Sequence, residues 1–434
     1  MKIKIKQKSY REILELPHAT RKKPRRQLFF WRWLMRLLSG PDLHATHFQY
    51  KKIGMERLGK KQPALFLMNH SSFIDLKISS ALLGNRPYNI VCTTDGFVGK
   101  RFLMRSLGCI PTDKFLPDLR LVRDMLYTVN KLKSSVLMFP EAGYSFDGTS
   151  TLLPDSLGKC AKLLKVPVVM IRTDGAFARQ PLYNDLHRRH VNVSAEMEYL
   201  LSPEDVEQKS AEELQAIIEE KFRFDAFRWQ QENKIAITEP NRTEGLHRLL
   251  YKCPVCMAEG KTESKGTTLR CQACGKEWKL DPYGYLTAEG DPVFTHVPDW
   301  YAWERECVHR ELTEGKYSLE TAVDVYVLTD TKCLYHTGGG HLSHSRAGFH
   351  LVGEDGVLDY TQDPLATYSL NADFNWYELG DVIGIGKHDM LYYCIPKEPL
   401  VSVTKARLAT EELYRILREE NRLHRLAARA SKAD

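Results

Sequence analysis

The chain has 434 residues and a formal charge of +7 at pH 7, which is long enough for two or three domains and too weakly basic to argue for nucleic acid on charge alone. Apolar residues at 43% and charged ones at 27%, with no low-complexity tract or fixed-period repeat, exclude a fibrous or globally disordered chain. The start MKIKIKQKSY has no apolar core of a signal peptide, and no run of about 18 uncharged apolar residues occurs, so neither secretion by a signal peptide nor a membrane span is expected.

The charge excess is concentrated at the start. Lys2, Lys4, Lys6, Lys8, Arg11, Arg21, Lys22, Lys23, Arg25 and Arg26 face only Glu12 and Glu15, a basic arm that suits anionic lipid or nucleic acid, or is simply a solvated tail. LFFWRWLMRLLSG, Leu28 to Gly40, follows it. As a helix it sets Arg32 and Arg36 on a narrow stripe against Phe29, Phe30, Trp31, Trp33, Leu34, Leu37 and Leu38, a composition for lying in a bilayer interface. The alternative is a helix docked on the protein's own core. Residues 1–41 are read as this arm and helix.

From 42 to 245 short apolar runs alternate with amphipathic stretches, an α/β pattern. PALFLMN (63–69), YNIVCTT (88–94), SSVLMF (134–139) and VPVVMIRT (166–173) read as buried strands, and LRLVRDMLYTVNKL (119–132) as a crossing helix. The acid-first stretch after 200, with Ser210 as its cap, closes this region.

Residues 246–285 contain Cys253, Cys256, Cys271 and Cys274 as C-x2-C-x14-C-x2-C, one residue short of the usual zinc-ribbon window. Two matched knuckles of four thiolates predict a structural zinc ion with no open position. The loop between them balances Lys261, Lys265 and Arg270 against Glu259 and Glu263, so no nucleic-acid partner is expected. The other six cysteines are scattered, as in a reducing compartment.

Residues 286–434 read as strands and hairpins turning at Glu354-Asp355-Gly356 and Lys387-His388-Asp389, ended by an amphipathic helix from Thr410 to about Arg429. On architecture alone this part loosely resembles a pleckstrin-homology-like fold. His336, His341, His344 and His350 surround three glycines, read as a connection between strands because no carboxylate or cysteine completes a ligand set.

The chemistry centres on NHSSFID. Ser72 and Asp75 form an S-x-x-D capping pattern, under which His70 merely ends a strand. The same turn can instead bring Asp75 to His70, fixing the imidazole tautomer and leaving the other ring nitrogen as a general base. Three further blocks follow in order: GCIPTDK (108–114), FPEAGYS (139–145) after a buried strand, and VPVV at 166. Together they resemble the glycerolipid acyltransferase family, which includes 1-acylglycerol-3-phosphate acyltransferase.

The resemblance implies a mixed sheet flanked by helices. It implies that His70, oriented by Asp75, deprotonates an acceptor hydroxyl that attacks the thioester of acyl-CoA or an acyl carrier protein. It makes Glu141, Pro140, Ser145, Gly108 and Lys114 acceptor-side residues, with Glu141 facing the acceptor's head and Lys114 standing for the usual phosphate-binding arginine. Ala142, Gly143 and Tyr144 replace the family's Gly, Thr and Arg, so one phosphate-side cation is missing; Lys100, Arg101 and Arg105 are candidates to compensate. The expected activity is acylation of a lysophospholipid, first 1-acylglycerol-3-phosphate, by a peripheral enzyme at the cytoplasmic face of a membrane. A degenerate acyltransferase serving as a lipid-binding scaffold is the alternative.

Overall fold

The structure, a computed structural model, describes residues 3–17, 21–398 and 402–430, the side chains of 428–430 excepted. Lys2 of the basic arm lies outside the described residues.

The first part is built on a seven-stranded sheet: β1 (Gln49–Ile53), β2 (Leu65–Met68), β3 (Tyr88–Thr93), β4 (Cys109–Thr112), β5 (Ser135–Met138), β6 (Val168–Asp174) and β7 (Ser194–Leu201), in the order β1-β7-β6-β2-β5-β3-β4. Every neighbouring pair is parallel except β6 with β7. The central strands are apolar throughout because both faces are covered. Leu65, Leu67, Val136, Met138, Val168 and Met170 pack on one side with helices Leu119–Asn130 and Leu157–Leu164, while Phe66, Met68, Leu137, Val169 and Ile171 pack on the other with Ile74–Leu83. Three strands escaped the sequence reading. β1 is a polar, exposed edge, β4 is an edge strand that tolerates Pro111, and β7 alternates inward and outward residues.

The cysteine segment forms a four-stranded antiparallel sheet. Beyond it comes a helix the sequence reading did not anticipate, Val297–Thr313, opened by Pro298 in its first turn and burying Val297, Trp300, Tyr301, Val308 and Leu312. The C-terminal sheet runs in the order Asp359–Gln362, Gly348–Gly353, Leu334–Ser345, Leu319–Leu328, Met390–Pro396, Val382–Lys387, Asn371–Asp373. The glycine and histidine stretch is a strand, not a connection: Leu334–Ser345 pairs with Leu319–Leu328 on one side and Gly348–Gly353 on the other. The glycines let neighbours approach, since a Cβ on Gly340 would meet the Val352 carbonyl oxygen at 2.7 Å. The closing helix is longer than expected, Val403–Ala430. Its first turns bury Val403, Ala406, Leu408, Ala409 and Leu413, and residues 421–427 are exposed.

The basic arm is tied to the body. Ile5–Gln7 pairs in parallel with the strand Leu334–Ser345. Arg21 is held by Asp118 and Asp124, and Asn89 donates to the Arg25 carbonyl. The aromatic helix forms as Phe29–Ala45 and turns Phe29, Phe30, Trp33, Leu37 and Leu38 to the surface, while Trp31 is half-buried. Arg32 folds back on the Gln27 carbonyl, so the two arginines do not make one outward stripe.

Candidate active site

β2, the central strand of the sheet, delivers the motif at its C-terminal end. Asn69, at its end, clamps β2 to β6: its side-chain oxygen accepts from the Thr173 N–H at 2.8 Å and its amide donates to the Thr173 carbonyl at 3.2 Å. The chain then turns sharply, and Asp75, fully buried on the first turn of Ile74–Leu83, reaches back across it. One oxygen, Oδ2, accepts from His70 Nδ1 at 3.0 Å, from the Ser71 N–H at 2.7 Å and from the Ser72 N–H at 3.0 Å. Only the acidic half of the capping pattern exists, because Ser72 Oγ is buried without a partner among the described residues. An ionised carboxylate accepts and never donates, so the proton sits on Nδ1 and Nε2 is the basic nitrogen.

The His70 ring lies between two aromatics. Phe139 stacks at 4.2 Å and Tyr144 tilts against it at 4.4 Å. Tyr144, standing where the family has arginine, offers a ring in place of a guanidinium, and burial holds its hydroxyl well above the ordinary range, so it keeps its proton. Ala142 takes φ +54°, the left-handed conformation that the family's glycine adopts freely and that costs alanine about 1 kcal/mol.

Glu141 does not face the acceptor as expected. It is fully buried, with Oε2 accepting from the His70 N–H at 2.8 Å and Oε1 from the Thr151 N–H at 2.9 Å. Burial pushes its carboxyl up to about 7 against these bonds, which favour the charged form. Ser145 is likewise internal: its hydroxyl donates to the Thr149 carbonyl at 2.6 Å and accepts from the Gly148 N–H at 3.0 Å. Gly108, at φ +79°, lets Asn89 and Gln27 close in; a Cβ there would lie 3.1 Å from each. None of the three lines the cavity beside His70, whereas Pro140 and Lys114 do.

That cavity has a volume of about 1020 Å³. One end is apolar, lined by Val91, Leu121, Val122, Met125, Met138 and Leu157. Lys114 is the only lysine or arginine among the described lining residues; Lys100, Arg101 and Arg105 do not line it. Much of the remaining wall comes from the C-terminal sheet: Tyr368, Asp373, Phe374, Trp376 and Tyr377, joined by Tyr414 of the closing helix. Burial raises the Asp373 carboxyl to about 6, with Lys114 working in the opposite direction. Tyr377 donates to Asp95 at 3.2 Å. Asn375, Tyr377 and Glu378 all have positive φ, a concentration of backbone strain of the kind functional loops carry. Nothing in the local sequence marks this segment as part of the His70 site.

The four cysteines converge away from this cavity. Their sulfurs all lie within 4.8 Å of one another, with Cys253 to Cys274 at 3.8 Å and Cys256 to Cys271 at 3.7 Å. A tetrahedral ion with bonds of ~2.3 Å to sulfur sets its ligands about 3.8 Å apart, so the donor set and its geometry fit a metal ion. Trp278, fully buried, packs on Trp300 with ring centroids 4.8 Å apart. The cluster is thereby joined to the same apolar core as the C-terminal sheet.

Residues 49–173 match the family model described as Acyltransferase. That segment holds the ordered motifs and the site they build, and is similar to acyltransferases. No curated protein matches the chain. Among solved structures, the 1-acyl-sn-glycerophosphate (LPA) acyltransferase PlsC from Thermotoga maritima aligns at 18% identity and a TM-score of 0.36, over 47% of this chain and 79% of that one.

Two outcomes follow from the geometry. Glu141→Gln puts an amide N–H against one of two backbone donors and loosens the His70 turn, so kcat falls about 10- to 100-fold while acceptor KM stays within about twofold; a rise in KM alone would return Glu141 to the acceptor. Elemental analysis of purified protein should give about one zinc per chain, and Cys271→Ser should lose the metal and lower Tm by several degrees or more.

Proposed function

We propose that the chain transfers an acyl group from a thioester, acyl-CoA or acyl-acyl carrier protein, to the free hydroxyl of a lysophospholipid. The observation that carries this reading is a tautomer-fixed His70 opening on a large, half-apolar cavity. His70 Nε2 takes the acceptor's hydroxyl proton as the oxygen attacks the thioester carbonyl. The tetrahedral adduct collapses, the carbon–sulfur bond breaks, and the imidazolium returns the proton to the departing thiolate. Asp75 steadies the imidazolium throughout. The apolar end accommodates an acyl chain.

For the acceptor, 1-acylglycerol-3-phosphate is the reading carried by the family resemblance, with Lys114 as its phosphate-side cation. The four-cysteine site would hold zinc, with a structural role and no part in the reaction. Attachment to a membrane would run through the exposed aromatics of Phe29–Ala45; no helix among the described residues is long and apolar enough to cross a bilayer.

A panel of lysolipids on vesicles, with labelled acyl-CoA and acyl carrier protein as donors, tests the reaction. Wild type should form diacyl product and His70→Ala should lose at least about 1000-fold in kcat with an unchanged Tm. Lys114→Ala should raise the KM for 1-acylglycerol-3-phosphate about tenfold, and turnover only with acceptors lacking a phosphate monoester would remove that acceptor from the reading. Replacing Phe30 and Trp33 together by glutamate should release the protein from anionic vesicles in co-sedimentation, and undiminished binding would remove the helix from the membrane contact.

A further inference from the structure

A second cavity, of about 940 Å³, lies between the outer half of Val403–Ala430 and the segments 150–155 and 219–223. Its charge is the reverse of the first. Arg223, Arg415, Arg418, Arg422 and Arg425 line it, against Asp155, Glu219 and Glu419. Four of these five arginines lean on neighbouring carboxylates, Arg223 on Glu220, Arg415 on Glu412, Arg422 on Glu419 and Arg418 on Asp155. Among the described residues Arg425 has no ion-pair partner. Asp155 and Tyr414 line both cavities, so the arginine groove adjoins the His70 cavity at that pair.

An acyl thioester donor has two ends of opposite chemistry: an anionic phosphorylated carrier, and a long neutral pantetheine arm that ends at the reacting carbonyl. The His70 cavity provides one lysine and no arginine among its described lining residues, which suits the acyl chain and not the carrier's phosphates. Guanidinium groups are matched to phosphate oxygens by charge and by their paired N–H donors.

We propose that the arginine groove binds the phosphorylated carrier end of the acyl donor, with the pantetheine arm crossing at Asp155 and Tyr414 to set the thioester beside His70. The shared chemistry is a phosphopantetheine thioester on an anionic carrier, either the 3′-phosphorylated nucleotide of CoA or an acyl carrier protein. This rests on the acyl-transfer reading, and it gives the appended C-terminal helix a part in donor choice.

The test reverses two exposed charges, Arg422→Glu with Arg425→Glu, after checking that Tm is kept; replacement of both by alanine serves if it is not. Donor KM is measured with acyl-CoA, acyl-acyl carrier protein and acyl-pantetheine, which lacks the phosphates. The expected result is a KM raised about tenfold or more for the carrier in use, kcat within about twofold, and no change for acyl-pantetheine; which carrier responds identifies the source. Unchanged KM for both carriers, or an equal rise for acyl-pantetheine, overturns the proposal. So does loss of binding to anionic vesicles with donor KM unaltered, which would make the groove a lipid contact. If wild type transfers no acyl group from any donor, the acyl-transfer reading fails separately. Direct titration with CoA and with acyl carrier protein then decides the groove: about tenfold weaker binding of either by the variant sustains it, and equal or absent binding of both overturns it.

Discussion

Asp75 Oδ2 gathers three N–H groups at one buried point, two from the backbone of Ser71 and Ser72 and one from the His70 ring. Leaving the buried Ser71 and Ser72 N–H groups without an acceptor would cost on the order of 1–3 kcal/mol each, so the turn, the helix start and the imidazole orientation depend on one carboxylate. Glu141 extends the constraint outward. By accepting from both the His70 and the Thr151 backbone, it ties the end of β2 to the loop after β5, and that loop carries Tyr144 against the His70 ring. The His70 ring is thus held in one direction by its bond to Asp75 and by the Phe139 and Tyr144 rings packed against it, while the backbone bonds fix the turn that carries it.

This explains which parts of the site were legible in the sequence. His70 and Asp75 are close along the chain, and a single turn joins them, so spacing alone suggests their pairing. The buried strands β2, β3, β5 and β6 were legible for a related reason: apolar runs bounded by turn residues have few alternatives when both sheet faces are covered. Glu141 was legible as a motif residue and not in its role, because a carboxylate after a strand end can face a ligand or the backbone, and only the position of His70 decides. Gly108 and Ser145 differ in the same way, serving the chain's own turns and not the cavity. The helix Val297–Thr313 was obscured by its aromatic and β-branched neighbours; its Trp300 packs on Trp278 of the cysteine segment, a contact remote in the chain.

What the sequence could not indicate at all is the long-range closure of the cavity. Asn371–Asp373 and the strained turn after it belong to an edge of the C-terminal sheet, yet Asp373, Trp376 and Tyr377 line the His70 cavity. No periodicity or local motif encodes such a contact. It depends on Tyr377 meeting Asp95, on His388 meeting Asp113 at 2.8 Å, and on the arm strand Ile5–Gln7 joining the far sheet. Each is a polar contact between segments remote in the chain, and together they hold the C-terminal sheet against the acyltransferase sheet.

The consequence is a division of charge. Inside the cavity, Lys114 is the only lysine or arginine among the described lining residues, and it faces the Asp373 carboxyl. Outside, across Asp155 and Tyr414, the closing helix gathers arginines. A two-substrate transfer between a polyanionic thioester and a lipid hydroxyl requires both substrates to reach one imidazole without competing for the same cations. Under the proposed acyl transfer, separating the arginines from His70 would achieve that: the donor's carrier would be held by charge at a distance while its uncharged arm enters, and the acceptor would be selected inside by shape and by a single lysine. On this argument the family's missing phosphate-side arginine and the arginines of the appended helix are linked features, because moving positive charge out of the cavity leaves the thioester, rather than the carrier's phosphates, as the group that fits beside His70.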